Sequence, residues 1–304
     1  MKQRFRDGLH MNQKNKELLE TINEIIDEYS MEGYKLTLRQ LFYQLVSRDI
    51  VPNLTKEYAK LSTLLTKGRM GGVVDWSAIE DRNRVPYIPY SVDDIEDAIN
   101  DTINQYRLDR QDGQKVHVEL WVEKDALSGV LKRITEHYHI KLIVNKGYSS
   151  TSAMYDAYRR FSNKINEGKK VVVLYLGDHD PSGLDMIRDI HQRSCEFLIG
   201  DAVDFVGDDD ESNPAFQVRP IGLTMKQIKQ FNPPPNPAKV KDPRSTGYIE
   251  KYGKVSWEVD ALNPETLHKL VRENVEILID MNLFNKQIKK EKADIIKLKE
   301  MIQI

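Results

Sequence analysis

The stretch that most constrains what this chain can fold into is VVVLYLGDHDPSG, Val171 to Gly183. A β-branched, leucine and tyrosine run with no polar alternation is the pattern of a strand buried on both faces, as in a parallel sheet covered by helices. Gly177 breaks the strand, and Pro181 suits the first turn of a helix. Asp178 and Asp180 therefore fall at the carboxyl end of a strand, where open α/β sheets hold their ligands. Two carboxylates this close raise each other's pKa unless a cation intervenes. A hard ion such as Mg²⁺ takes one or two carboxylates together with waters and phosphate oxygens. Asp, Gly, Pro and Ser are equally the residues of a solvated strand-end turn, so the pair alone leaves both readings open.

A second acidic strand end lies upstream. VHVELWV, Val116 to Val122, reads as a strand followed at once by Glu123, Lys124 and Asp125 and by helical spacing of Ala126, Leu127, Val130 and Leu131. Between the two lie a short strand, Lys141 to Val144, a turn at Lys146-Gly147-Tyr148 and a helix from Ser152 to Ile165. The order β-α-β-α-β-α predicts a parallel sheet with right-handed crossovers, which brings Glu123, Asp178 and Asp180 to one edge.

VEKDALSGVL (Val122 to Leu131), NKGYSSTSAMYDAYRRF (Asn145 to Phe161) and LGDHDPSGLDMI (Leu176 to Ile187) together resemble the Toprim fold of topoisomerases, primases and some nucleases. They are more closely similar to the A subunit of type IIB topoisomerases (topoisomerase VI) and the related meiotic double-strand-break transesterases. The third block is the most specific of the three. The resemblance implies a Rossmann-like Toprim domain in which Glu123, Asp178 and Asp180 ligate Mg²⁺, with Mn²⁺ as a substitute. It further implies a homodimer in which the tyrosine of one subunit meets the metal site of the other, and a separate GHKL-type ATPase B subunit as a possible partner. WEVDAL, Trp257 to Leu262, resembles a block near the end of the family's Toprim domain.

That family carries a nucleophilic tyrosine on an N-terminal helix-turn-helix module. In LTLRQLFYQLVSRD, Leu36 to Asp49, Thr37 can cap a helix whose apolar residues Leu38, Leu41, Phe42, Leu45 and Val46 recur at helical spacing. Arg39 precedes Tyr43 by four residues and so shares its face. By resemblance to the family's arginine followed by paired aromatics, Tyr43 is the nucleophile, with Phe42 where a tyrosine is commoner. A phenol of pKa near 10 needs a cation or base, a service expected of Arg39 and of the metal held by Glu123 and the two aspartates. Read by itself, Tyr43 is better explained as a core tyrosine with its hydroxyl at the surface.

Overall the chain is almost neutral, with 45 Lys plus Arg against 47 Asp plus Glu, so composition does not announce nucleic acid. Locally, Lys35 to Gly72 holds seven basic residues against two acidic ones. A second helix from Thr55 to Lys67, closed by Gly68, Gly71 and Gly72, is expected to face DNA through Lys56, Lys60, Lys67 and Arg69. A Val73-Val74 strand and a return strand at 85–88 would complete a winged helix. Lys146 joins these as a DNA contact. A solvated basic helix face is the alternative.

Downstream, the acidic run 201–211 reads as a solvent loop or, less simply, a second metal site, with residues 202–206 paired to a strand at 214–222. FNPPPNPAKVKDPRSTGY, Phe231 to Tyr248, reads as an extended path, a linker or a contact surface through Lys239, Lys241 and Arg244. Asn263-Pro264 starts a final helix with Leu267, Leu270, Val271, Val275, Leu278 and Ile279 on its apolar stripe. The single cysteine, Cys195, excludes an intramolecular disulfide and a cysteine-based zinc cluster. With no apolar membrane span, signal peptide or Walker loop, the expectation is a cytoplasmic, nucleoid-associated protein that is not itself an ATPase.

The sequence thus predicts an α/β protein with a winged-helix domain over residues 1–110 and a Toprim domain over 111–304. The expected activity is Mg²⁺-dependent DNA cleavage with a covalent protein–DNA intermediate. A hydrolytic Toprim nuclease acting on DNA or RNA would use the same carboxylates and leave Tyr43 dispensable. A non-catalytic DNA-binding or assembly subunit would need neither, and the intact carboxylate triad argues against it.

Overall fold

Four strands, β1 (Val116–Val122), β2 (Lys141–Val144), β3 (Lys170–Leu176) and β4 (Phe216–Gly222), form a parallel sheet in the order β2-β1-β3-β4. The computed structural model describes residues 2–7, 11–80, 88–200, 215–238 and 244–302. β1 and β3 are central and buried from their second residue onward, which is why both read as continuous apolar runs. One face packs Val118, Leu120, Val172 and Leu174 against helices α5 (Ser128–Tyr138) and α10 (Pro264–Glu276). The other packs Trp121, Val171, Val173 and Tyr175 against α6 (Thr151–Asn166) and α7 (Pro181–Gly200). Burying side chains of this size on both faces is worth about 1.5–3 kcal/mol each.

The chain leaves β1 toward β2 on one side and leaves β3 toward β4 on the other. The carboxyl ends of β1 and β3 therefore flank a topological switch point, the crevice where sheets of this kind place ligands. β4 pairs with β3 as a strand of the main sheet, whereas its expected partner at 202–206, like the acidic run 201–211, lies outside the described residues.

The N-terminal unit is built on three helices, α1 (Gln13–Met31), α2 (Leu38–Ser47) and α3 (Thr55–Met70). The sequence reading passed over α1, although Leu19, Ile22, Ile25, Ile26 and Tyr29 mark its buried stripe. Thr37 caps α2 in a reciprocal capping box with Gln40, as its position predicts. The helix is nevertheless buried on every side from Gln40 to Val46, because the turn Val259–Ala261 covers the face away from α1 and α3. Gly68 lies inside α3 against Leu19 and Val74 rather than closing it, and Gly71 is the cap.

Val73 and Val74 form a bend, not a strand, since their amides both turn back to the Gly68 carbonyl. The return strand expected at 85–88 falls on residues outside the description except for Ile88, which is irregular and exposed. A fourth helix, α4 (Ile95–Gln105), leads to Tyr106, Leu108 and Arg110, which bind Asp294 and Glu291 on the last helix, α11 (Met281–Ile302).

Between β4 and α10 come α8 (Met225–Phe231), a two-stranded ribbon of β5 (Asn236–Pro237) and β6 (Val255–Ser256), and α9 (Ser245–Tyr252). Of the expected extended path, Phe231 ends α8, Asn232 is left-handed, Asn236 and Pro237 form β5, and the last four residues belong to α9. Lys239 and Lys241 lie outside the described residues. Asn263 caps α10, which ends at Glu276; Asp280 then accepts the amides of Asn282 and Leu283 to start α11, so Leu278 and Ile279 sit in the connection. Among the described residues no helix is long and apolar enough to cross a membrane.

Candidate functional site

The switch point brings Glu123 and the aspartate pair together. The Asp178 amide donates to Glu123 Oε2 at 3.1 Å, joining the ends of β1 and β3. Asp180 Oδ1 accepts the Ser182 hydroxyl (2.8 Å) and the Gly183 amide (2.6 Å), so this carboxylate also caps α7. Only glycine fits at 183, because a Cβ there would lie 2.2 Å from the Asp178 carbonyl oxygen. Beneath the site, the buried Tyr175 phenol is driven far above its ordinary pKa, first by burial and then by Glu123, Asp178 and Asp180 together. All three carboxylates thus act on one buried hydroxyl.

Two cations enter the cluster. Lys124 extends its ammonium to Asp178 Oδ2 (2.8 Å), Glu258 Oε2 (2.9 Å) and Asp260 Oδ1 (3.0 Å), and the Val259 amide donates to Asp178 Oδ1 at 2.8 Å. Arg39 reaches the same two acids from α2, pairing with Glu258 and with Asp260 Oδ2 at 2.8 Å. Among the described residues, Lys124 and Arg39 thus bridge Asp178, Glu258 and Asp260. Burial above all, with the charges of Glu123 and Asp260, lifts Asp178 to about 7 even though Lys124 pulls the other way. Burial would raise Glu258 too, but Lys124, Arg39 and Tyr43 hold it down at about 2.

Tyr43 belongs to the same network. It is buried on α2, its phenol is hydrogen-bonded to Glu258, and the Arg39 guanidinium lies 5.7 Å from its ring centre. Burial comes first, and the bond to Glu258 and the charges of Asp260 and Glu258 follow, in pushing the phenol well above its ordinary value of 10. The expected lowering by Arg39 is present but outweighed by burial and by Glu258 and Asp260. One polar chain therefore runs Tyr43, Glu258, Lys124, Asp178 within a single subunit.

The expected DNA-facing residues separate into groups. Lys56, Lys60 and Lys67 are exposed on α3; Lys60 and Lys67, with Lys14 of α1, line a groove of about 780 Å³. Lys60 also bonds Glu57 at 2.8 Å. Arg69 instead turns inward, donating to the Trp76 carbonyl (2.8 Å) and lying 4.5 Å over the Trp76 ring. Lys146 is exposed beside the carboxylates, 3.5 Å from Asp125, with its amide on the Glu123 carbonyl.

Sequence reasoning missed Lys124, Glu258 and Asp260. Their signals were present: Lys124 adjoins Glu123, and Glu258-Val259-Asp260 repeats the acid-x-acid spacing of Asp178 and Asp180.

The donor set fits a hard divalent cation. Every side-chain donor of the triad is a carboxylate oxygen, the donor type such ions take. Among the described residues no three His, Cys, Asp or Glu side chains close into a complete ligand set, and Mg²⁺, which keeps waters and takes phosphate oxygens, does not require one. No protein-family model matches the chain, and no curated protein matches it.

Proposed function

We propose that this protein is a divalent-metal-dependent DNA transesterase with a Toprim-like sheet domain and a winged-helix-like N-terminal unit, working as a homodimer. The observation that carries the reading is the polar chain from the Tyr43 hydroxyl through Glu258 and Lys124 to Asp178. It ties the one tyrosine whose sequence context resembles a nucleophile to the carboxylates that suit a metal.

Glu123, Asp178 and Asp180 would hold Mg²⁺, which supplies charge stabilisation to a bound phosphodiester. The Tyr43 oxygen would attack phosphorus, forming a phosphotyrosine bond as the bond to one deoxyribose oxygen breaks. The phenol proton would pass to water, since Lys124 and Arg39 hold Glu258 at about 2 and make it a weak base, and the leaving oxygen takes a proton from solvent. In the conformation described, the phenol is a poor nucleophile because burial and Glu258 favour its protonated form. A DNA phosphate competing for Arg39 would loosen that hold, and the exposed lysines of α3 supply sequence-independent attraction to the duplex.

The burial of Tyr43 favours a second reading, in which water attacks at the same carboxylates. Supercoiled DNA incubated with the protein and Mg²⁺ or Mn²⁺, resolved with and without protease treatment, separates the two. Transesterification leaves protein-linked DNA that Tyr43→Phe abolishes. Protein-free products with an active Tyr43→Phe select hydrolysis, and binding without any cleavage overturns both.

A further inference from the structure

The residue between the two aspartates has no role in that chemistry, yet it is among the most closely held in the site. In an extended turn alternate side chains point to opposite sides, so His179 points away from Asp178 and Asp180. It is 2% exposed. Its backbone pairs in both directions with Trp257, His179 N to Trp257 O at 2.9 Å and Trp257 N to His179 O at 3.1 Å. Its ring lies edge-on to Tyr252, with 4.7 Å between centres.

The Tyr248 hydroxyl of α9 sits 2.9 Å from His179 Nδ1, 2.8 Å from the His179 carbonyl and 3.0 Å from the Val255 carbonyl. Carbonyl oxygens only accept, and a phenol has one proton. The arrangement that satisfies these groups has the phenol donating to the carbonyls and accepting from Nδ1–H.

We propose that His179 and Tyr248 are positioning residues that fix the spacing of the Asp178 and Asp180 carboxylates and so set the affinity of the site for a divalent cation. The inference rests on the metal reading given under Proposed function. The same clamp extends to the ligands: two residues after Trp257, which pairs with His179, the Val259 amide holds Asp178 Oδ1, and Asp180 is fixed by the first turn of α7. Tyr248 adds a side-chain tie to this segment, holding the His179 ring and its carbonyl together. Outer partners that orient metal ligands typically change affinity 10–100-fold when lost.

The test is Mn²⁺ binding to the full chain, followed by electron paramagnetic resonance of free Mn²⁺, with cooperative unfolding measured alongside. Tyr248→Phe keeps the ring and removes the hydroxyl; it is expected to weaken Mn²⁺ about 10-fold or more while the unfolding transition stays cooperative. His179→Asn, whose amide N–H can take the place of Nδ1–H, is expected to retain most of the affinity, and His179→Leu to lose it. If Tyr248→Phe and His179→Leu both bind Mn²⁺ as wild type does, the positioning role is wrong and the metal site stands. A wild-type protein that takes up no Mn²⁺ overturns the metal reading and this inference with it.

Discussion

Asp178 offers the most direct measure of how burial and neighbouring acids act on the site. Its pKa is lifted from 3.8 to about 7, chiefly by burial, with Glu123 and Asp260 adding to the rise and Lys124 opposing it. A carboxyl that binds its proton more tightly when folded stabilises the fold at low pH. That contribution is lost as pH climbs from about 4 to about 7. From pH 5 to 8 the wild type crosses roughly two pH units of that window, at about 1.4 kcal/mol each, a loss of about 3 kcal/mol from this group.

Asp178→Asn keeps an oxygen for the Val259 amide and cannot titrate. Urea denaturation of both proteins at pH 5 and pH 8 should therefore show the variant gaining about 3 kcal/mol on wild type between the two conditions. Adding Mg²⁺ at pH 8 should restore wild-type stability, by about 2.7 kcal/mol at one hundred times its dissociation constant, and leave Asp178→Asn much less affected. A stability difference that stays flat between pH 5 and 8 would refute the account of Asp178 as a buried carboxylate among other acids.

Gly183→Ala should cost about 3 kcal/mol, because its Cβ would stand 2.2 Å from the Asp178 carbonyl and the turn must open; thermal unfolding measures it. Glu119, wholly buried inside β1, receives both arms of Arg160 (2.8 and 2.9 Å) and the Trp121 indole N–H (3.0 Å). These partners and His117 overcome burial and hold its pKa at about 2. Its stabilisation is present above pH 4.5 and lost as pH falls toward 2, and Arg160→Ala should cost about 3–5 kcal/mol at neutral pH by stranding the charge. Replacing Lys56, Lys60 and Lys67 by Gln should flatten the salt dependence of DNA affinity without altering the unfolding midpoint by more than a degree or two, whereas Arg69→Gln should lower that midpoint by removing its bond to Trp76 and leave the salt slope unchanged.

Much of the sheet was written locally. Runs such as Val171 to Leu176 can bury both faces only in a covered parallel sheet, and glycine or an acid at the end of each central strand marks where the backbone leaves it. Thr37, Asn263 and Pro264 likewise announced their helix starts through capping chemistry that involves only near neighbours. On that basis alone, Glu123, Asp178 and Asp180 could be assigned to one sheet edge.

What the sequence could not supply was anything set by contacts far apart along the chain. That Tyr43 is buried rather than half-exposed follows from the Val259–Ala261 turn closing over α2, more than two hundred residues later. That Arg39 is shared between Glu258 and Asp260, Lys124 is drawn to Asp178, and Arg69 folds onto Trp76 follows from which charges and rings the packing brings within reach. The sequence by itself determined the central strands and placed Glu123, Asp178 and Asp180 at their carboxyl ends. Only the tertiary structure decided how strongly each is charged, because pKa values answer to burial and to neighbours, and both are properties of the folded chain.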